Sequence, residues 1–337
     1  MLKLFWIGNP FFYQALTDYT IKFHYFNAMR VFTWQDIAEI AGFTPDILVV
    51  ADKSLPPFVL GVEDFPCLTV FYAVDSHLQS YYPYYAQAFD ACLLSLKDHI
   101  PLFVGPFLQK ERILWSPPFA KDEHRPKPNI TSEIKWDCIF VGRVTENMPK
   151  RKQFLDELAN RLPNFYVTFG QYEKLFPQAK VVLNFCEHGD LNFRVFEALG
   201  MGSALVTPSI KNGQDSLFTC GEHFLLYDNT SIDSCLAAIK TLLQDAVLRQ
   251  KISQQGLALV DAKHRASNRA KSFSQFLKEL LPKRHTLIKN RLKLAPKIRS
   301  QSLRLPYLLW AKELEGSQLK SYFLKAASKE GLGRPTI

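Results

Sequence analysis

Several familiar sequence signatures are missing from this chain of 337 residues, and each absence narrows its possible functions. No run of about 18 apolar residues occurs, so a membrane-spanning helix is not expected. Neither GxGxxG nor GxxxxGK[ST] is present, which removes the best support for a dinucleotide-binding or P-loop protein. The sequence also lacks HExxH, other zinc-ligand spacings and a nucleophile-elbow sequence. It therefore has no motif that would indicate zinc or serine hydrolase chemistry.

Cysteine is sparse, and its distribution points to a reducing compartment. The six cysteines are scattered without a CxxC pair, and four lie in or beside apolar runs, which favours buried, reduced thiols. The N-terminal sequence contains one Lys and a short apolar run that Gly8-Asn9-Pro10 interrupts. It is typical of a first strand and turn rather than of a signal peptide. We therefore expect a cytoplasmic protein.

Acidic residues are absent from one stretch near the C-terminus, which carries the excess charge. Lys283 to Arg304 contain eight Lys or Arg and no Asp or Glu. The chain from Lys283 to Ile337 has a net charge of +10, whereas the whole sequence has a net charge of +9. Apolar residues are interleaved with the bases, which leaves three interpretations open. The segment forms a surface for anionic lipid at the inner face of a membrane, a surface for nucleic acid (the less favoured) or a partner protein, or a helical extension packed on the N-terminal domain.

The order of apolar runs predicts an α/β protein with two Rossmann-like domains. Continuous apolar strands alternate with helical segments of about ten residues, which is typical of parallel sheets covered on both faces. A proline-rich, charged stretch interrupts this alternation, as a linker does. A helix is predicted over Phe11–Tyr19, and Thr33 with Asp36 forms an imperfect capping box. The predicted organisation is a first domain at 1–118, a linker at 119–134, a second domain at 135–282 and a basic helical tail at 283–337.

The stretch from Val181 to Pro208 makes the clearest functional statement. An apolar strand is followed by the polar loop Glu187–Asp190, a helical pattern from Asn192 and a second apolar strand. A strand, a loop and a helix N-terminus form a suitable place for an anionic ligand in an open α/β sheet. From the pattern alone, an ordinary strand–helix–strand unit with surface charges fits equally well.

Several motifs, in order, resemble one family. They are FVGR at Phe140 to Arg143, the N-x-R-x-F-E-A core at Asn192 to Ala198, and Met201-Gly202 with the LVT strand after it. The region from about 136 to 271 is similar to the C-terminal half of GT-B glycosyltransferases, and within them to the spore-maturation CgeB-like group, which overlaps the group 1 glycosyltransferases. The resemblance implies two Rossmann-like domains whose parallel sheets face each other across a cleft, with the N-terminal one contacting the acceptor.

The resemblance also implies a nucleotide-sugar donor, bound between the domains mainly by the C-terminal one. Arg143 and Lys150 match the residues that the family uses for the diphosphate, whose two charges require cations or backbone donors. Glu197 matches the glutamate that accepts hydrogen bonds from the ribose hydroxyls. Arg194 is either a phosphate ligand or the internal partner of Glu197 or Asp190. No acidic DxD-like pair stands where a metal-bridged diphosphate would require it, so we expect no metal and no cofactor beyond the donor.

The sequence departs from the family at one position of the donor-sugar site. Many retaining members carry a second glutamate where this chain has Gly189. Glu187, His188 and Asp190 surround that position, and each is a candidate for the contact. His188, Gly189 and Asn192 are therefore counted among the donor-binding residues, while the stereochemistry of transfer stays open.

A general base is expected from the first domain. Asp75-Ser76-His77 ends an apolar strand, and an inverting enzyme needs a group to deprotonate the acceptor hydroxyl. His77 or Asp75 is the catalytic candidate, and Asp52 is a weaker one. The alternative for His77 is a cap of the aromatic helix that follows.

Together these features predict a bacterial, cytoplasmic glycosyltransferase of the hexosyltransferase type. It would move a sugar from a nucleotide sugar to a glycan, lipid-linked or protein acceptor without a metal. The alternatives are a non-catalytic GT-B-like binding or scaffold module for envelope or appendage assembly and, less favoured, a nucleotide-sugar epimerase.

Overall fold

The computed structural model describes residues 1–127 and 133–333, which divide into two compact units. Unit 1 comprises Met1–Pro117 together with the described chain from Ala270 onward. Unit 2 comprises Pro118–Arg269. No helix in the ranges described is both long enough and apolar enough to cross a bilayer.

Each unit is built on one parallel sheet, as the apolar runs predicted. Unit 1 has a six-stranded sheet in the order β2-β1-β3-β4-β5-β6. Its strands are β1 Lys3–Gly8, β2 Thr20–His24, β3 Ile47–Ala51, β4 Leu68–Ala73, β5 Ala91–Leu94 and β6 Ile113–Trp115. Unit 2 has a five-stranded sheet in the order β11-β10-β9-β7-β8. Its strands are β7 Trp136–Val141, β8 Phe165–Thr168, β9 Ala179–Leu183, β10 Ala204–Pro208 and β11 Leu225–Tyr227. Every residue of β3 and β4 is buried, because helices and loops cover both faces of a parallel sheet.

The helices follow the strands in the order expected for an α/β fold. They are α1 Trp34–Ala41, α2 Tyr82–Ala86, α3 Ile100–Phe103, α4 Pro149–Arg161, α5 Tyr172–Leu175, α6 Phe193–Gly200, α7 Gln214–Leu217, α8 Ile232–Gln244, α9 Ala246–Lys263, α10 Ala266–Leu280, α11 Arg284–Ile298, α12 Arg304–Glu313 and α13 Leu319–Ala326. Thr33 and Asp36 form a complete capping box at α1, with the Thr33 amide 2.8 Å from the Asp36 carboxylate.

The predicted helix over Phe11–Tyr19 is wrong. Only a 3₁₀ turn at Tyr13–Ala15 forms there. Phe11 has a φ of 39°, which an α-helix does not allow. Phe12 is buried in an edge contact with Trp6, so tertiary packing overrides the local helical pattern.

The basic C-terminal segment is an integral part of unit 1. Ile298, Leu303 and Tyr307 belong to the hydrophobic core of unit 1, together with residues of its sheet. Two arginines of the segment are also buried, each in ion pairs with acidic residues of unit 1. Arg291 Nε lies 3.0 Å from Asp90, and Arg299 Nε lies 2.9 Å from Glu63. The segment therefore fills a gap in unit 1, in agreement with the packed-extension interpretation.

The described part of the predicted linker is held by unit 2. Ala120 pairs with Arg265 in a parallel bridge, and Arg265 also donates hydrogen bonds of 2.8 Å to the carbonyls of Lys121 and His124. Arg265 is 1% exposed, so these contacts are internal. Residues 128–132 of the predicted linker lie outside the described range. The predicted bounds of the linker and domains stay predictions.

Candidate functional site

The sheet of unit 2 has one point at which successive connections run in opposite directions. β8 lies on one side of β7, whereas β9 lies on the other. Ligands of open α/β proteins bind at the carboxyl ends of strands, at such a switch point. The segment after β7 and the segment after β9 both contain predicted site residues, so the fold brings these two stretches together.

Arg194, in the first turn of α6, bridges this switch point. Its Nε donates to the Val141 carbonyl at the end of β7, and its Nη1 donates to Asn184 Oδ1, each over 2.8 Å. A Cβ atom on Gly142 would lie 2.3 Å from Nη2, so any other residue there would displace the guanidinium. Burial lowers the pKa of this guanidinium from its ordinary value. None of the hydrogen bonds described here goes to Glu197 or Asp190, although the charges of both carboxylates partly offset the lowering of the Arg194 pKa, so both interpretations of Arg194 stay predictions.

A second arginine lies at the same place, and the sequence interpretation passed over it. Arg151 is half-buried in the first turn of α4, with Nε 4.0 Å from Glu187. That Nε atom is buried and has no hydrogen-bond partner among the residues described. Arg151 Nη1 donates over 2.9 Å to the Arg143 carbonyl, two residues beyond the carbonyl that accepts from Arg194 Nε. The charge of Arg151 also contributes to the lowered pKa of Arg194. Their only ion pair in the described structure is the long one to Glu187.

The two cations that the resemblance indicated lie in more open positions. Arg143 is exposed, and its guanidinium is 5.6 Å from the ring centroid of Phe169. Lys150 is exposed and makes no hydrogen bond or ion pair within the described ranges. A sequence signal for Arg151 existed, because it lies three and four residues before Phe154 and Leu155 and thus on the buried face of α4.

The loop between β9 and α6 adopts a conformation that glycine favours. Gly189 has a φ of +70°, and its carbonyl accepts a hydrogen bond of 3.0 Å from Asn212 Nδ2. A Cβ atom at Gly189 would contact nothing within 4 Å, so the backbone rather than crowding favours glycine. His188 is exposed at the loop tip, and Asp190 is half-buried.

The N-terminus of α6 is open to an external acceptor. Asn192 is its N-cap residue, but its side chain does not cap the helix. Asn192 Nδ2 lies 3.2 Å from Cys186 Sγ, while its Oδ1 is buried without a hydrogen-bond partner among the described residues. The first amides of a helix have no partner within the helix, and they attract negative charge.

Glu197 lies one turn after Arg194 on α6. Its carboxylate is half-buried and makes no hydrogen bond within the described part of the chain. Burial raises the pKa of Glu197 to about 7, although nearby Arg194 and Lys121 act in the opposite direction. A partly desolvated carboxylate without a partner is costly unless a ligand provides donors.

The catalytic candidates His77 and Asp75 belong to unit 1, after β4. Asp75 accepts a hydrogen bond from Ser54, and its amide donates 2.7 Å to the neighbouring Asp52. Asp52 is 1% exposed, and burial, reinforced by Asp75, raises its pKa. Asp52 thus braces the loops after β3 and β4. His77 is half-exposed and lines a cavity of unit 1 with His99.

One parallel sheet of six strands and one of five, together with the likeness to solved structures, define the class: the chain has the GT-B glycosyltransferase fold. Residues 142–275 match the model of the family described as glycosyl transferase-like, which includes the whole stretch from Gly142 to α6. The predicted resemblance to GT-B glycosyltransferases is therefore confirmed, and the CgeB-like subgroup stays a prediction.

Solved structures with this fold have low sequence identity to the chain. Sucrose-phosphate synthase from Thermosynechococcus elongatus is 9% identical with a TM-score of 0.60, over 84% of this chain and 100% of that one. Anabaena HepE, solved with UDP and glucose, is 10% identical with a TM-score of 0.59, over 83% and 100%. An α-glucosyltransferase solved with UDP-glucose and DNA is 10% identical with a TM-score of 0.57, over 82% and 99%. No curated protein sequence matches.

Proposed function

We propose that the protein transfers a sugar from a nucleoside-diphosphate sugar to an acceptor hydroxyl, and that unit 2 holds the donor. The observation that carries this proposal is the arrangement on α6. Arg194 at the sheet switch point, open helix amides and the unpartnered carboxylate of Glu197 lie within two turns. A nucleoside diphosphate offers the complementary set, two phosphate anions and a vicinal diol.

The diphosphate is assigned to Arg194, Arg151 and the first amides of α6, with Arg143 at the exposed side. Two guanidinium groups, one of them with a buried Nε atom that has no hydrogen-bond partner among the described residues, offer donors that a phosphate anion satisfies. Such groups also offset the charge that develops on the leaving diphosphate in the transition state. Among the residues described, no group of three or more His, Cys, Asp or Glu is placed to hold a metal ion.

The ribose is assigned to Glu197. A carboxylate accepts hydrogen bonds from both hydroxyls of a vicinal diol. With a pKa of about 7, Glu197 is partly protonated at neutral pH, and the two donated hydrogen bonds favour its ionised form. His188, Gly189 and Asn192 are assigned to the side of the donor sugar, where the unpartnered Asn192 Oδ1 accepts a hydroxyl hydrogen.

In the transfer, the bond between the sugar anomeric carbon and the diphosphate oxygen breaks, and a bond to the acceptor oxygen forms. The acceptor proton passes to a base, for which His77, or Asp75, stays our candidate in unit 1. The diphosphate departs with the bonding electron pair.

We also propose that unit 1 meets an anionic membrane surface through its long C-terminal helix. α11, a π-helical turn at Arg299–Leu303 and α12 run on without a break in right-handed helical backbone. Lys289, Lys293 and Lys297 lie on its exposed face, followed by exposed Leu305, Leu308 and Leu309. Exposed basic residues followed by exposed leucines along a surface helix are typical of an interfacial helix.

The donor proposal is tested by measuring binding and hydrolysis of a nucleotide-sugar panel, starting with UDP-glucose. We expect binding to be lost in Arg194→Met and strongly weakened in Glu197→Ala, with folding unchanged by circular dichroism. Binding without turnover, with or without acceptors, would favour the non-catalytic module, which the glycine at position 189 supports. Absence of binding across the panel would contradict both.

The membrane proposal is tested by cosedimentation with vesicles of phosphatidylglycerol and phosphatidylcholine. We expect Leu308→Asp to abolish binding and Lys293→Glu to weaken it, whereas Lys251→Glu, at an exposed position of unit 2, leaves it unchanged. Equal binding of all variants would contradict the assignment. Point variants are needed because the segment carries the buried Arg291 and Arg299, so its deletion would disrupt unit 1.

A further inference from the structure

A cavity of about 630 Å³ opens in unit 1 beside the ends of β4 and β5. Its polar lining includes His77, His99, Gln301 and Ser302. The carboxyl ends of parallel strands are where open α/β sheets bind ligands. The volume suits one or two sugar rings, since small-molecule sites are about 300–1,000 Å³.

The polar side chains that line the cavity bear hydroxyl, amide and imidazole groups. Within the described ranges, no Asp, Glu, Lys or Arg contributes to the cavity wall, whereas serine hydroxyls, imidazoles and two glutamine amides do. Exposed Tyr84 and Leu102 supply apolar surface on the same wall. A ligand with hydroxyl groups at its edges and apolar faces matches this mixture, and an anionic ligand does not.

One polar group of the wall is oriented before any ligand binds. His99 Nδ1 lies 3.0 Å from the Oγ atom of buried Ser76, which fixes the ring. Its Nε2 makes no hydrogen bond among the described residues. Burial, with a smaller effect of His77, lowers the pKa of His99, so the ring is neutral at neutral pH. A neutral imidazole bound to a hydroxyl group either donates through Nε2 or accepts there, and both suit a ligand hydroxyl.

The loop that contains Gly105 forms another wall of the cavity, and the side chain of Gln87 holds it in place. Gln87 Oε1 accepts hydrogen bonds of 3.1 Å from the amides of Phe107 and Leu108, and its Nε2 donates to the Phe103 carbonyl over 2.8 Å. A Cβ at Gly105 would lie 2.6 Å from Gln87 Oε1, so the loop is pressed against this amide. The amide of Gln87 is thus used to shape the wall rather than to contact a ligand.

The third wall comes from the π-helical turn Arg299–Leu303. A π-helical turn is rare and is found frequently at functional sites, because it shifts the side chains around it. Here the turn brings Gln301 and Ser302 to the cavity, while Arg299 fixes it through ion pairs with Glu63 and Asp64. The irregular helix is therefore held in place by buried charges.

We infer that this cavity binds an uncharged saccharide. Resting on the proposed function, this saccharide is the acceptor, with a hydroxyl held by His99 and His77 at its side. The inference concerns unit 1 alone and names neutral glycans, rather than phosphorylated or acidic ones, as the acceptor class.

The test is calorimetric titration of the full chain with neutral di- and trisaccharides of glucose, galactose, mannose and N-acetylglucosamine. Leu102→Trp fills the cavity mouth from an exposed position, and His99→Ala removes the oriented imidazole. Leu324→Trp is the matched control, an exposed leucine of unit 1 outside the cavity lining. We expect at least one saccharide to bind, with an affinity about tenfold or more lower in Leu102→Trp and His99→Ala but unchanged in the control.

The inference would be overturned if no neutral saccharide binds, or if a saccharide binds and Leu102→Trp leaves that binding intact. Binding of an alkyl glycoside without binding of its free sugar would also overturn it, because the apolar chain would then be the ligand. UDP-glucose titration of the same samples keeps the two proposals separate. Saccharide binding that Leu102→Trp removes, in a protein that binds no nucleotide sugar, would support the cavity and contradict the proposed function.

Discussion

Arg299 offers a sharp test of how the C-terminal helix is attached to unit 1. The Arg299 side chain is 6% exposed, and its partners Glu63 and Asp64 are 1% and 5% exposed. Nε lies 2.9 Å from Glu63, and Nη1 donates over 2.9 Å to the Lys329 carbonyl. Replacement by Met keeps much of the volume but leaves two carboxylates buried without their cation.

The expected cost follows from that burial. Removing one partner of a buried ion pair destabilises a protein by about 3–5 kcal/mol, because the remaining charge is desolvated and unpaired. Glu63 Oε2 has no hydrogen-bond partner among the described residues even with Arg299 present, which places the cost at the upper end. At about 2–4 °C per kcal/mol for a unit of this size, we expect Arg299→Met to lower the melting temperature by about 6–20 °C.

The loss should depend on pH in a defined direction. Burial raises the pKa of Glu63 in the folded protein, and Arg299 is the largest opposing influence. Without Arg299 this pKa rises further, so the folded state takes up a proton more readily than the unfolded state. The stability of Arg299→Met relative to the parent protein then improves as pH falls from about 8 to about 5 and declines as pH rises.

The assay is differential scanning calorimetry over that pH range, with Lys297→Met as control. Lys297 is an exposed base of the same helix, and its loss should change stability by less than about 0.5 kcal/mol. Equal effects of the two substitutions would show that the Arg299 ion pairs do not stabilise unit 1. A large loss that is independent of pH would contradict the role assigned to Glu63.

Three further predictions concern unit 2. Arg151→Met should weaken donor binding by about 2 kcal/mol or more, whereas the exposed neighbour in Lys150→Met should cost less than about 1 kcal/mol; equal effects in a fluorescent-nucleotide titration would contradict the assignment. Donor binding should weaken as pH falls below about 7, because the ribose needs ionised Glu197; Glu197→Gln should bind weakly and without this pH dependence in the same titration. Gly142→Ala should destabilise the protein by about 1–3 kcal/mol in urea unfolding, because its Cβ would meet Arg194 Nη2 at 2.3 Å; an unchanged midpoint would refute this contact.

Much of the fold could be predicted from the sequence, because parallel strands are buried on both faces and are therefore mostly apolar. The run at β3 is apolar throughout and those at β4 and β9 are mostly apolar, so their type and order follow from the sequence. The prediction of a helix at Phe11–Tyr19 was wrong, because tertiary packing decides the conformation there. Its apolar residues serve aromatic packing against Trp6 rather than one helix face.

The candidate site could be predicted from the sequence only in part. Arg194 and Glu197 stand in one short motif, so the resemblance found both, but the bonds of Arg194 to Val141 and Asn184 join segments far apart in sequence. The resemblance indicates Lys150, and the local pattern does not distinguish it from Arg151, because both are bases at a helix start. Only the packed helix shows that Arg151 turns inward while Lys150 stays in solvent.

The sequence by itself determined the two-domain α/β class, the glycosyltransferase-like motifs and the concentration of positive charge after residue 282. Those properties depend on composition, on local periodicity and on residues close together in the chain. Only the tertiary structure decided which of these basic residues are buried and which are exposed to solvent. Arg291 and Arg299 pair with acidic residues more than 200 positions away, inside unit 1, while Lys289, Lys293 and Lys297 of the same helix face solvent. No local pattern separates an internal cation from an external one when the acidic partner comes from a distant strand connection, because only chain folding brings the two charges together.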